Sequence, residues 1–294
     1  QTLQNKLIEL KKSFNENSLK TKNFSITNNK IIFESDILSI NLVEEILLDK
    51  ESELNPYFEK FKTHQFVIEN NENFFTMYLS DYGVVLLNSS SLDQAVEIVR
   101  RRVDETGTNE PTILKRGNNR ILVELPGLDD PARIKSLLGK TANLTFQFVS
   151  NNDQDSFGVE KIPYEDGQNE DFVSKRIILS GENLIDAQPR YDNLNNEPIV
   201  AFSLDRLGSQ RFGRATSKNI GKRIAIILDN EAISAPVIRD SITGGNGTIS
   251  GNFTFQAATD LALWLRSGAL PTPLTIVEER TVGPDLGKDS IEAG

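Results

Sequence analysis

The sequence has very few of the residues that support thiol, imidazole or metal chemistry. Its 294 residues include no cysteine, one histidine, one methionine and one tryptophan. The absence of cysteine excludes disulfides, thiol nucleophiles and thiolate metal sites, but it does not identify a redox compartment. Any mechanism that pairs serine with histidine would have to use His64. No motif surrounds His64 at the start of its predicted strand, so we expect a surface or structural role.

Long apolar runs and an excess of basic charge are also missing. The longest apolar candidates, 224–228 and 261–265, are far shorter than the roughly 18 residues that cross a bilayer. The chain shows no signal-peptide pattern and begins at Gln1 rather than Met, so we expect a segment of a longer protein. Lys plus Arg is 32 and Asp plus Glu is 42, which gives a net charge of −10. An acidic chain of this kind is a poor candidate for binding nucleic acid through its phosphates.

The composition that remains is that of a globular chain long enough for two domains, with 38% hydrophobic and 25% charged residues. Two stretches, 1–69 and 89–149, share the order helix, hairpin, helix, strand. This order favours an α+β fold built from two related plaits, each with a helix pair on a small antiparallel sheet. The ferredoxin-like split βαβ has this order if one more strand precedes each first helix. Residues 74–80 or 83–87 can supply that strand for the second plait, and for the first it would lie before Gln1.

Local signals indicate where the main elements begin and end. Asn28-Asn29 tolerates positive φ and predicts a tight hairpin turn. Ser91 is the expected N-cap of a helix that ends near Gly107. Thr254 and Gly268 are the expected caps of an apolar helix near the end of the chain.

The second half of the chain indicates an inserted block. Residues 150–172 form a polar, strongly acidic connection, after which strands at 175–179, 198–204 and 223–229 flank a helix near 205–218. The helix after Thr254 and a final strand over 274–283 are expected to complete the sheet that begins before residue 150. We therefore predict three parts: 1–85 as an N-terminal plait of a base, 86–149 with 231–294 as the rest of the base, and 150–230 as an inserted head.

Pairs of carboxylates and one glycine-rich turn do not form a catalytic pattern. Glu278 and Glu279 are adjacent on a predicted strand, so their side chains would point to opposite faces. Asp129 and Asp130 are explained by the start of a helix. Residues 244–247 lack the following Lys and Ser/Thr of a P-loop, so a glycine turn between strands is expected there.

The basic run 100–102 does not indicate a binding site either. Adjacent helical residues fan apart around the axis, and Glu97 with Arg101 forms an i, i+4 pair, so we predict a solvated face. The scattered Asp residues lack the His or Cys of a specific metal cage. The sequence thus predicts no catalytic residue, no metal site and no cofactor.

Four blocks of the sequence resemble one protein family. They are RRRVDETGTNEPTILKRGNNRILVELPGLDDPARIKSLLGKTANLTFQFV, IILSGENLIDA, the run from AFSLDRLG to APVI, and the run from ITGGNG to GPDLG. These blocks resemble the large periplasmic domain of SecD, a membrane protein that assists the Sec protein-export channel. The resemblance is close over residues 89–294 and looser over the first 85.

The resemblance implies a periplasmic domain of a multi-pass inner-membrane protein. Family members have one transmembrane helix before this segment and five after it, and a strand with an Asp-Leu-x-Gly-Gly motif that this chain lacks. Their domain has a base of ferredoxin-like plaits and an inserted head. They work with SecF and the Sec translocation channel, and the pair is thought to use the proton gradient to pull or hold an emerging unfolded preprotein. The proton-carrying residues lie in membrane helices that are not in this chain.

A mechanism follows from this resemblance as a hypothesis. The head would bind unfolded segments through apolar surface, because apolar burial is non-directional. It would swing about its two connections to the base. The candidate groove residues are Val200, Phe202 and Phe212, for which core packing of the head is the alternative. The candidate hinge residues are Phe148, Val149, Ser150, Ala232, Ala235 and Pro236.

Two other functions stay open at the level of sequence. Ferredoxin-like plaits can host acylphosphatase-type hydrolysis, which would need a phosphate-cradling loop with an arginine beside a helix start. A periplasmic porter domain of a proton-driven efflux pump shares the plait architecture and would bind small molecules in a defined pocket. We favour the non-enzymatic, polypeptide-handling function.

Overall fold

The structure is a computed structural model that describes residues 2–108, 110–127, 130–150, 158–164 and 167–280. It separates into two compact units, Gln1–Leu92 and Asp93–Gly294. The helices are α1 (Thr2–Glu16), α2 (Ile40–Leu48), α3 (Asp81–Glu105), α4 (Pro131–Gly139), α5 (Arg206–Ser217) and α6 (Phe255–Ser267). No helix in this part of the chain has the length and apolar character needed to cross a bilayer.

Sixteen short strands are named along the described residues. In the first unit they are β1 (Thr21–Thr27), β2 (Lys30–Ser35), β3 (Tyr57–Phe58), β4 (Thr63–His64), β5 (Phe66–Asn71) and β6 (Phe74–Leu79). In the second unit they are β7 (Thr112–Arg116), β8 (Arg120–Glu124), β9 (Leu144–Val149), β10 (Val159–Pro163), β11 (Glu170–Ser180), β12 (Leu184–Tyr191), β13 (Pro198–Leu204), β14 (Ile224–Leu228), β15 (Glu231–Ser234) and β16 (Asn246–Ser250). The molecule is thus a mixture of helices and several separate sheets.

The first unit is built on a four-stranded antiparallel sheet in the order β1-β2-β6-β5. Asn28 and Asn29 have φ of 51° and 59°, which confirms the predicted hairpin turn. The rings of Phe24, Phe33 and Phe75 stack at 5.1 Å between neighbours, and α1 and α2 contribute to the same core. Because two hairpins lie side by side with β2 next to β6, the sheet does not confirm the ferredoxin-like plait.

Helix α3 begins ten residues before the predicted N-cap Ser91. Ser80 precedes it, and its hydroxyl accepts a hydrogen bond from the Gly83 amide at 3.0 Å. Residues 83–87 are therefore helical, so the prediction that they could form a strand is wrong. The division between the two units falls inside this helix, after Leu92, whereas the predicted boundary was residue 85.

The second unit contains a small closed barrel. Its five-stranded antiparallel sheet has the order β10-β11-β9-β14-β15. A parallel bridge between Tyr164, just after β10, and Ala232 joins the two outer strands, so the sheet closes on itself. The apolar residues buried as one cluster on its inner side are Ile162, Val173, Ala225, Ile227 and Ala232.

A three-stranded antiparallel sheet, β12-β13-β16, lies against the main core of the second unit. Along β13, Val200, Phe202 and Leu204 are buried, while the alternate residues are half-buried. Helix α6, capped as predicted by Thr254 and Gly268, packs its apolar residues into the same core. The segment 231–272, predicted as base, therefore shares one hydrophobic core with the predicted head.

The final strand predicted over 274–283 is not formed in residues 274–280, and the rest of it lies outside the described residues. Ile276 and Val277 are exposed, so the alternating pattern there has no sheet to join. Glu278 and Glu279 lie near different basic partners, Arg280 and Lys135.

Candidate functional site

An open cleft of about 1030 Å³ in the second unit is lined by residues of the three-stranded sheet, of the segment 236–242 and of the core around Phe146, Ile224 and Ile226. Its floor follows the strand register, because residues that face each other across the three strands share one face. One row across the sheet is Gln188, Ala201 and Thr248. The rows on either side are Asp186, Ser203 and Asn246, and Arg190, Ile199 and Ser250. The cleft floor is therefore a strip of mostly polar side chains.

The walls of the cleft are more apolar than its floor. One wall is the segment 236–242, which offers Pro236, Val237 and Ile242, and another is the turn between β12 and β13. Leu194 lies in this turn and is 97% exposed. The same turn also contributes Asp192, Asn195 and Glu197. This mixture of apolar and polar groups suits a ligand that has both a polar backbone and apolar side chains.

Acidic side chains outnumber basic ones in the cleft. The acidic lining residues are Asp186, Asp192, Glu197 and Asp240, and the basic ones are Arg190 and Arg239. Along β12 the Gln188 amide donates to Asp186 at 2.9 Å, and Arg190 donates to the Gln188 side-chain oxygen at 3.2 Å. The cleft thus carries a formal charge of −2, which favours basic or neutral ligands over acidic ones.

The structure places the three predicted groove residues in the hydrophobic core of the second unit. Val200 is completely buried and is not among the residues that line the cleft. Phe202 and Phe212 border the inner end of the cleft, but they are 5% and 3% exposed. Their rings pack on Phe146 at 5.7 Å and 5.6 Å. Core packing, the alternative left open by the sequence, therefore describes all three positions.

The two predicted hinge segments belong to the same barrel. Phe148 and Val149 lie in β9, which pairs with both β11 and β14, and the Val149 amide donates to the Arg223 carbonyl at 3.1 Å. The Ser150 amide donates to the Phe172 carbonyl at 2.7 Å. The carboxyl end of β9 is therefore hydrogen-bonded to the chain segments on both of its sides.

The second hinge segment is held in a similar way. Ala232 is buried inside the barrel, with Ala235 partly buried against the same cluster. The Ala235 carbonyl accepts from the Arg223 side chain at 3.1 Å, and the Pro236 carbonyl accepts from the Ile224 amide at 3.0 Å. A bend at either segment would break hydrogen bonds of the barrel, a constraint that the sequence pattern does not reveal.

Arg223, Asp171 and Tyr164 form a hydrogen-bonded cluster on strands of the barrel. The Arg223 guanidinium donates to both carboxylate oxygens of Asp171, at 3.0 and 2.7 Å, and to the Tyr164 hydroxyl at 3.0 Å. The Tyr164 hydroxyl donates to Asp171 at 2.5 Å. Burial, followed by the hydrogen bond to Asp171, raises the pKa of Tyr164 to about 12. The hydrogen bonds to Asp171 raise the pKa of Arg223. No sequence motif identifies this cluster, because its members come from three separate segments.

Arg102 is fully buried, which corrects the prediction of a solvated arginine face over 100–102. Its guanidinium donates to the carbonyls of Leu137 at 2.9 Å, Lys140 at 2.5 Å and Gly268 at 3.2 Å. These carbonyls lie at the carboxyl ends of α4 and α6, where helices carry partial negative charge. Burial lowers the pKa of Arg102 to about 10, so the side chain stays charged at neutral pH. Arg100, by contrast, is exposed and pairs with Glu97 at 3.3 Å.

His64 and Asp130 both have hydrogen-bonding partners in the part of the chain that the structure describes. No group of three or more His, Asp or Glu side chains there could hold a metal ion. The His64 ring nitrogen lies 2.8 Å from the Asn55 carbonyl, and the ring packs against Tyr57 at 4.8 Å. Asp130 caps α4 through the Arg133 amide at 3.0 Å, as expected for a helix start, whereas Asp129 lies outside the described residues.

Comparisons with known proteins place the chain among protein-translocase subunits. The model of the SecDF P1 head subdomain matches residues 159–272. The model of the N-terminal part of the P1 domain of protein translocase subunit SecDF matches residues 92–151. The residues that match the head model include 231–272, which we predicted as base. They also include most of the strands that line the cleft.

Curated relatives and solved structures agree with these models. SecD of Rickettsia typhi is 39% identical over 296 residues, which cover 97% of this chain and 55% of that protein. SecD of Acetobacter pasteurianus is 45% identical over 236 residues, covering 78% of this chain and 45% of that protein. The chain thus spans about half the length of these relatives.

Two solved structures are similar in both sequence and fold. A structure of SecDF, described as a membrane component that enhances protein export, is 32% identical with a TM-score of 0.56, over 66% of this chain and 94% of that chain. SecDF in a super-membrane-facing form is 32% identical with a TM-score of 0.58, over 69% of this chain and 30% of that chain. The chain belongs to the SecD family and contains its P1 domain.

Proposed function

We propose that this chain is the periplasmic, polypeptide-handling part of a membrane-embedded SecD. In this proposal it works with SecF and the Sec translocation channel, and it binds unfolded preproteins during export that depends on the proton gradient. The family membership supports the setting, and the open cleft within the head match supports the binding of polypeptide. The chain itself supplies no bond-making chemistry in this account.

The single observation that carries the proposal is the shape and lining of the cleft. An extended polypeptide needs a long, open surface with hydrogen-bonding groups for its backbone and apolar contacts for some of its side chains. The rows of mostly polar side chains centred on Ala201 provide the floor, and the 236–242 segment provides apolar contacts. Because the cleft is open and only partly apolar, binding is expected to be weak enough for release.

A binding assay with an unfolded protein tests this proposal. Ala201→Arg places a long charged side chain in the middle of the floor and should weaken binding by about tenfold or more. Ala257→Arg, on the exposed surface of α6 and outside the cleft, is the matched control and should bind as the unchanged chain does. Equal binding by the two variants, or tighter binding of a folded protein than of an unfolded one, would contradict the proposal.

The proposed swing of the head about 148–150 and 232–236 needs its own test. Such a swing requires the hydrogen bonds of β9 and of Pro236 with β14 to open. Phe148 and Ile224 face each other across β9 and β14, so a cysteine pair there can form a disulfide that locks these strands. In full-length SecD the swing predicts that oxidation of this pair stops export and that reduction restores it.

The control for this lock is a cysteine pair at Thr112 and Glu124, which face each other in the separate β7–β8 hairpin. Its oxidation should leave export unchanged. Normal export with the Phe148–Ile224 pair oxidised would show that no essential bend occurs between these strands. No observation on the described residues favours the acylphosphatase or the efflux-pump alternative.

A further inference from the structure

Strand β16 has a hydrogen-bonding partner on one side only. It pairs with β13, and among the described strands nothing pairs with its other edge. The Leu204 amide donates to the Gly245 carbonyl at 2.8 Å, so these two residues form a hydrogen-bonded pair of the ladder between β13 and β16. In an antiparallel ladder alternate residues point their backbone groups inward and outward. The backbone N–H and C=O groups of Asn246, Thr248 and Ser250 therefore point away from β13.

This edge lacks the features that usually prevent another strand from adding to it. Natural edge strands are commonly blunted by charges, proline or a bulge. The opposite edge, β12, has Pro189, the charged Asp186 and Arg190, and an irregular register near Leu184. Strand β16, with the sequence NGTIS, has no charge and no proline, and its register with β13 is regular.

The open edge borders the candidate cleft. Asn246, Thr248 and Ser250 are exposed, and their side chains form the outermost column of the cleft floor. A strand added beside β16 would lie about 4.8 Å away and would point alternate side chains onto the same face. The acidic excess of the cleft lining favours a neutral or basic strand.

We propose that unfolded polypeptide binds this domain by adding, in extended conformation, as a fourth strand on the free edge of β16. This inference rests on the proposed function and specifies how the substrate is held. Main-chain hydrogen bonds give affinity that does not depend on the sequence of the added strand, while the cleft contributes weak side-chain selectivity. The mode suits a domain that must handle many different polypeptides.

Two substitutions at Thr248 distinguish the contribution of its backbone N–H to binding from that of its side chain. Thr248→Pro removes an outward-pointing N–H and leaves the inward ladder bonds to β13 in place. Thr248→Val keeps the N–H and changes only the hydroxyl. With the whole 294-residue chain, the proline variant should bind a fluorescent peptide about tenfold more weakly, and the valine variant should bind within about twofold of the unchanged chain.

A pair of peptides tests the same point without altering the protein. The probe is a nine-residue peptide of alternating valine and serine with a lysine at each end, and its partner has the same side chains with N-methyl groups on all central amides. N-methylation blocks main-chain donation, so the methylated peptide should bind at least about tenfold more weakly. Fluorescence anisotropy measures both peptides, and circular dichroism verifies that the protein variants are folded.

The outcomes distinguish this inference from the proposed function. Equal binding of the two peptides, or binding that Thr248→Pro leaves unchanged, would overturn strand addition while leaving polypeptide binding in place. Failure of the chain to bind either peptide or any unfolded protein would overturn both proposals. A dimer of the chain that Thr248→Pro dissociates, together with no peptide binding, would show that a second copy occupies the edge and would also overturn the inference.

Discussion

At the scale of single residues, the Arg102 guanidinium stabilises the carboxyl ends of two helices from inside the core. It donates hydrogen bonds to carbonyls at the carboxyl ends of α4 and α6 that have no partner within their own helices. A buried charge is tolerated there because several carbonyl oxygens solvate it. Arg102 thereby ties the two helices to α3 within the second unit.

Replacing this side chain should be strongly destabilising. Arg102→Leu removes the donors to the partly buried carbonyls of Lys140 and Gly268, while the Leu137 carbonyl keeps its hydrogen bond from the Trp264 indole. The loss should lower the free energy of unfolding by about 3 kcal/mol or more. Arg101→Leu, at the neighbouring exposed position, should change it by less than about 0.5 kcal/mol. Urea denaturation of both variants measures the difference, and similar midpoints would contradict this role.

Tyr164 gives a pH-dependent test of the charged cluster beside the barrel. Its folded pKa of about 12 lies above the ordinary tyrosine value, so the folded state favours the protonated phenol. The contribution of Tyr164 to the free energy of unfolding is therefore complete below pH 10, and it is lost as the pH rises from 10 through 12. Ultraviolet titration of tyrosinate should show a component with a pKa of about 12 that Tyr164→Phe removes.

The control for this titration is Tyr191→Phe, which removes an exposed tyrosine outside the cluster. It should leave the high-pKa component in place. If Tyr164→Phe instead removed a tyrosine that titrates near pH 10, the cluster would not hold the phenol protonated.

At the scale of elements, helix α6 supports the cleft by covering the inner face of the three-stranded sheet. The Thr254 hydroxyl caps the helix by accepting from the Ala257 amide at 3.1 Å. Loss of this cap by Thr254→Ala should lower the free energy of unfolding by about 1 kcal/mol. Thr259→Ala removes the hydroxyl of a half-buried residue within the helix, which donates to the Phe255 carbonyl at 2.8 Å, and it should cost less. Thermal denaturation of the two variants checks the order, and a greater loss at position 259 would contradict it.

Local signals predicted most elements, because their causes lie within a few residues. The Asn28-Asn29 turn, strand β13 and both caps of α6 were correctly placed from residue type and periodicity alone. The start of α3 was wrong because the Ser91 signal resembles a cap, whereas the structure uses Ser80 and continues through 83–87.

The sequence did not predict which strands that are distant along the chain pair with each other. The order of elements does not specify that β2 lies beside β6, or that Tyr164 meets Ala232 to close the barrel. For the site, the sequence offered Phe202 as a groove residue with core packing as the alternative. It could not show that the open face of the sheet is the one carrying Ala201 and Thr248. The alternating pattern of 274–280 predicted a strand that has no partner, which shows that alternation by itself does not specify a sheet.

At the scale of the whole molecule, charge should influence which polypeptides bind. The chain has a net charge of −10, and the cleft lining is also acidic. An unfolded basic polypeptide should therefore bind more tightly than an acidic one of equal length. The difference should shrink as salt rises from about 50 to about 500 mM, because the screening length contracts. Binding that is indifferent to the charge of the polypeptide at low salt would contradict this expectation.

Photocrosslinking from the cleft during export tests the central claim most directly. A photoreactive amino acid is placed at Thr248 in full-length SecD, and a matched one at Ala257 on the exposed surface of α6, while a preprotein is held partway through export. The account predicts crosslinks from position 248 to the arrested preprotein and few or none from position 257. Crosslinks from neither position, or equally from both, would contradict the claim that this cleft holds the emerging chain.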